Sequence, residues 1–107
     1  MHTPATYRER DQRLVILRVL RAQAAYQAND SAIKQALASV GHLLPRDQVR
    51  ELLRYLRGET LIAINELQAP DSETDKTIWI CTLTERGSDV ALGITTHPGV
   101  NRPSPRP

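Results

Sequence analysis

The chain has 107 residues, of which 40% are hydrophobic and 24% charged, and it carries a formal net charge of +2. That length suits one domain with one core, and the composition fits a globular chain rather than a disordered one. So small a charge excess does not by itself mark a nucleic-acid binder, and the single cysteine, Cys81, excludes an internal disulfide and a thiolate metal cluster.

There is no Phe, and the aromatic residues are Trp79, Tyr7, Tyr26 and Tyr55, so the core must be built from Leu, Ile, Val and Ala. No apolar run approaches the roughly 20 residues that span a bilayer, and the polar start lacks the apolar segment of a signal peptide. A cytoplasmic protein without membrane contact is expected.

Residues 7–25 contain no Pro or Gly and are rich in Arg, Leu and Ala, which predicts a first helix. Leu14, Val15, Ile16, Leu17, Val19 and Leu20 point almost all round it, so it must be buried on more than one side. Either a second copy of the chain covers the extra side, giving a homodimer through this helix, or the domain wraps it unaided. Residues 26–28 form a short connection or minimal strand.

Asn29 or Asp30 caps a second helix reaching about Val40, with Ile33, Ala36, Leu37 and Val40 as its apolar stripe and Gly41 ending it. Pro45 opens a third helix, where Val49, Leu52, Leu53 and Leu56 repeat the same spacing before Gly58. Two β-rich runs, 61–67 and Thr77–Leu83, flank a polar stretch containing Pro70 and read as a hairpin. Thr84 caps a last helix over Glu85–Leu92. Four prolines within 95–107 exclude helix and predict a flexible tail after a domain spanning 1–94.

The expected fold is therefore α+β: a winged helix-turn-helix with a three-helix core, a β-hairpin wing and a short C-terminal helix. Such a fold places its third helix in the DNA major groove. There Arg46, Arg50, Arg54 and Arg57 form one basic ridge, and with Gln48 they make the candidate DNA-contacting set. The competing reading is a solvated face whose arginines pair with acids three or four positions away, as Arg54 can with Glu51.

Two features oppose DNA. Asp47 and Glu51 occupy the most exposed line of the third helix, and Asp71, Glu73 and Asp75 against Lys76 make the wing tip acidic. Basic extensions partly compensate: Arg8, Arg10 and Arg13 at the start, Arg102 and Arg106 in the tail. His2, His42 and His97 have no ligand spacing, so neither a metal nor another cofactor is expected, and His42 should hydrogen-bond near the helix-turn-helix corner. No phosphate loop, nucleophile elbow or paired carboxylates mark an enzyme.

Leu83-Thr84-Glu85-Arg86-Gly87 after a strand resembles the strand-to-helix junction of winged-helix regulators of the MarR, PadR and ArsR sort. With Arg13–Leu17, Ala28–Ser31, Arg46–Arg50 and His97–Val100, the chain resembles a small winged-helix family of Mu-like transposable phages and prophages, often labelled ArsR-like regulators. The resemblance implies a phage protein acting in the host cytoplasm. The paired cysteines of metal-sensing ArsR proteins are absent, so metal response is not carried over. Two functions are expected: a regulator of transcription binding double-stranded DNA, or a non-catalytic adaptor binding a phage protein in assembly or DNA packaging.

Overall fold

The structure, a computed structural model, describes residues 4–68 and 77–103. Among these the order is α1 (Pro4–Arg21), a 3-10 turn (Ala24–Tyr26), β1 (Gln27–Asn29), α2 (Asp30–Ser39), α3 (Arg46–Gly58), β2 (Ile62–Gln68), β3 (Thr77–Leu83) and α4 (Glu85–Leu92). The chain is thus α+β. Its three strands are antiparallel in the order β1-β3-β2, so the short connection after α1 completes a sheet and does not merely link two helices.

Local chemistry accounts for the boundaries. The extended backbone of Gln23 (φ −92°, ψ 155°) follows the end of α1, four residues before the expected limit, and Ala25 and Tyr26, with positive φ of 56° and 55°, turn the chain into β1. The Asn29 side chain accepts from the Ala32 amide at 2.8 Å and caps α2, which leaves the neighbouring Asp30 carboxylate for other work. Pro45 sits just before α3 with φ −68°. Gly58 ends α3 as its position suggests, but the left-handed residue that turns the chain is Thr60, with φ 60°.

The core sits between the helices and one face of the sheet. Ile16, Leu17 and Leu20 of α1, Ile33 and Leu37 of α2, and Val49, Leu52, Leu53 and Leu56 of α3 are all buried. β3 adds Trp79, Cys81 and Leu83. The apolar girdle of α1 is covered by α2, α3, α4 and β3 of its own chain, with Val15 half-buried against the same core. The ground for a second subunit against α1 thereby falls away. Cys81 lies between Ala28 of β1 and Ile64 of β2. Burial, with a smaller push from the Asp30 charge, raises its thiol to about 12 against an opposing pull from Arg50.

The boundary expected at residue 94 does not hold. After Gly93 (φ 80°) the chain turns back, and residues 97–103 pack onto α1 and α3. His97 and Val100 are buried. His97 Nδ1 accepts from the Gly99 amide at 2.9 Å, so the ring proton sits on Nε2 and is donated to Glu59 at 2.8 Å. Arg13 donates to the Gly99 carbonyl at 3.0 Å and the Asn101 amide to the Arg10 carbonyl at 3.2 Å. Proline excludes helix here but not packing. Residues 104–107, including Arg106, lie outside the described residues.

The β3–α4 junction explains one glycine. Thr84 accepts from the Gly87 amide at 3.0 Å and donates to the Leu61 carbonyl at 3.0 Å, which draws α4 down onto the start of β2. A Cβ at Gly87 would collide with the Leu61 carbonyl oxygen and lie 2.8 Å from Leu83 Cδ1. Gly87→Ala is expected to cost about 1–3 kcal/mol, as overpacking of a filled site does. Urea unfolding should show a lower midpoint at an unchanged slope; an unchanged midpoint would mean that α4 moves aside freely.

Candidate functional site

The arginine row of α3 lies where its spacing puts it, beside the buried stripe, but it faces its own chain. Arg50 is the most committed. Its guanidinium donates to Asp30 Oδ2 through Nε at 2.9 Å and lies 2.7 Å from it through a terminal nitrogen, and it donates to the Thr77 carbonyl at 2.7 Å. It also stacks on the Trp79 indole, 4.3 Å from the ring centroid. With its side chain 14% exposed against 3% for Asp30, this is an internal ion pair. Arg50 therefore supports the site and is not a free contact.

The rest of the set remains at the surface. Arg46 donates to the Thr77 carbonyl at 2.6 Å and lies 3.5 Å from Asp30. Arg54 lies 5.3 Å from the Trp79 centroid and 3.6 Å from Glu51. Arg57 is 3.9 Å from Glu66 on β2. Gln48 departs from the row: with Glu51 and Tyr55 it lines a cleft of about 550 Å³ between α3 and α1, facing Arg8 and Arg13. The four arginines thus share their neighbourhood with Asp30, Glu51 and Glu66, and Asp47 on the exposed side makes the charges equal.

Asp30 is the residue that sequence reasoning missed. Asn29 pairs with Ile80, so Asp30 follows just where β1 stops, and its Oδ1 accepts the Trp79 amide at 3.3 Å in place of a strand partner. Burial alone would push its carboxyl up. The hydrogen bond from Arg50, the Trp79 amide and the Arg50 and Arg46 charges outweigh it and hold the carboxyl below the ordinary range. The only local hint was an acid at a helix start, which reads equally well as a cap. Tyr55 was missed as well: Arg13 sits 3.7 Å above its ring, and its hydroxyl stands against Gly99.

His42 does hydrogen-bond at the corner before α3, with Asp11 at 3.2 Å and Gln12 at 3.4 Å. The wing-tip acids Asp71, Glu73 and Asp75, with Lys76, lie outside the described residues. No helix among the described residues is long and apolar enough to cross a membrane.

What the geometry defines is a small α+β domain whose principal helix carries a charge-balanced face and a cleft, pinned by one buried ion pair. Over 96 residues the chain is 38% identical to gp26 of Escherichia phage Mu, described as an uncharacterized protein; the match takes in 90% of this chain and 91% of that one. The chain belongs to this family of small Mu-like phage proteins. A Haemophilus influenzae Rd protein, also described as uncharacterized, is 47% identical over 58 residues, 54% of this chain and 56% of its own. No family model matches the chain. Neither relative's description names a fold or a regulator, so the phage part of the resemblance stands and the ArsR-like label gains nothing.

Removing one partner of a buried ion pair strips the other charge of its main compensation, leaving Asp30 only the half-exposed Arg46, so Arg50→Ala is expected to lose about 3 kcal/mol of stability. The Asp30 carboxyl is held low in the folded chain. Its contribution is therefore complete above the unfolded value near about 4 and is lost as pH falls through the lower folded value. Chemical denaturation at a series of acid pH values should show this loss in the parent and a shallower slope in Asp30→Asn. Identical slopes would remove Asp30 as the source.

Proposed function

We propose that the chain is a winged-helix binding module of Mu-like phages that works in the host cytoplasm without catalysis, docking another phage protein through α3 and its cleft. The supporting observation is that every arginine of the α3 row already faces a carboxylate of its own chain. Affinity for DNA comes largely from cations that replace the phosphate counterions. A face with as many acids as bases supplies little of that, whereas interleaved charges beside a cleft lined by Tyr55, Leu44 and Leu52 suit a protein surface.

A regulator that binds double-stranded DNA is the second reading. The α2–turn–α3 order followed by a hairpin favours it, as do Arg46, Arg54 and Arg57, which stay about half exposed. Surface ion pairs are worth only about 0–1 kcal/mol, so phosphates could displace those carboxylates.

One pair of measurements separates the two. Under the docking reading, anisotropy at low salt against duplex phage DNA shows no saturable signal that Arg54→Ala/Arg57→Ala abolishes. A phage partner captured on the immobilised chain then survives nuclease treatment and is lost with Gln48→Ala/Glu51→Ala. Saturable, salt-sensitive duplex binding that vanishes in the arginine double variant would instead establish the DNA reading.

A further inference from the structure

Among the described residues, positive charge without a carboxylate partner also gathers on another strip of α1, away from α3. The returning segment Thr96–Arg102 runs beside α1 and leaves between them an open groove of about 660 Å³. Three arginines border it: Arg10 and Arg18 from α1, and Arg102 from the segment. The guanidinium groups of Arg18 and Arg102 make no ion pair or hydrogen bond among the described residues. Arg10 donates only to the Pro98 carbonyl, at 3.4 Å, and its Nε is buried without a partner. The one carboxylate lining the groove among the described residues, Asp11, hydrogen-bonds His42 at 3.2 Å, and Glu9 on the neighbouring strip faces Arg13. Residues 1–6 and 103–107 contain no acid. This is the reverse of α3, where each guanidinium has a carboxylate.

Between these cations two nearly buried apolar side chains meet the bottom of a groove otherwise lined largely by polar groups. Leu14, on α1 between Arg10 and Arg18, and Val100, opposite it, line the groove, and Tyr7 stands 64% exposed at one end beside Arg10. Arg10 and Arg18 are eight residues apart on one helical face, about 12 Å along the axis. In an extended peptide, side chains four residues apart lie on one face at about 13 Å, with the residue midway between them on that same face. We propose that this groove takes an extended acidic segment of a partner protein, with Asp or Glu at two positions four apart and an aliphatic residue midway. The two acids meet the Arg10 and Arg18–Arg102 ends, and the aliphatic side chain sits over Leu14 and Val100. A phosphodiester strand would match the cations but bring no aliphatic group to the floor. The groove does not include the α3 face, so this assignment stands whichever reading of α3 holds.

The test uses the full chain and a fluorescein-labelled peptide of Glu-Ser-Leu-Ser-Glu repeats. Anisotropy should show saturable binding that weakens with salt. Arg18→Ala/Arg102→Ala should weaken it about ten-fold or more, the loss expected when charge-assisted hydrogen bonds are removed. Arg54→Ala/Arg57→Ala should leave it unchanged. Both changes lie at exposed side chains, and circular dichroism with thermal unfolding checks that the fold persists. The proposal is overturned if the peptide fails to bind or if binding survives the groove variant. Equal affinity for a peptide with serine in place of leucine, or for an oligothymidylate of the same charge, overturns it as well.

Discussion

The contact between Asp30 and Arg50 holds the plan of this molecule together. It joins the first residue of α2, the middle of α3 and, through the Trp79 amide and ring, the centre of β3. Helix packing alone would let α3 slide along the sheet, because an aliphatic stripe of Val and Leu fits several registers. A forked guanidinium gripping one carboxylate oxygen while lying on an indole fits one. The aliphatic core supplies most of the stabilisation, and the polar cluster fixes how its parts meet.

The same contact changes what the arginine row means. A basic ridge beside an apolar stripe looks identical in one dimension whether its cations are offered to phosphates or spent on neighbouring carboxylates. Here the partner of Arg50 is twenty residues upstream and that of Arg57 is on β2. The surface charge that matters is what remains after these pairings, and part of it collects beside α1, where the returning C-terminal segment brings Arg102 up to Arg10 and Arg18.

Much of the fold was readable because it is local. The stripe Val49, Leu52, Leu53 and Leu56 is buried as its spacing demands, Thr77–Leu83 and Glu85–Leu92 fall at their expected limits, and Thr84 caps α4. The features that escaped are long-range. A carboxylate at a helix start is ambiguous until β3 is seen to pass beside it. The proline-rich end looked loose because its order comes from His97 reaching Glu59 and from Gly99 standing against the Tyr55 hydroxyl, and neither leaves a periodic trace. The girdle of α1 was legible as burial on several sides, but not as burial within one chain.

The position of Cys81 has a practical bearing on how this domain breathes. Its sulfur sits at the centre of the middle strand, fully enclosed, and its proton is held far above neutrality. Only a thiolate reacts with alkylating or oxidising reagents, so the closed core keeps this atom chemically silent. Any modification must wait for the helices to lift from the sheet face that carries Cys81. The sole sulfhydryl is thus a built-in clock for opening of the core.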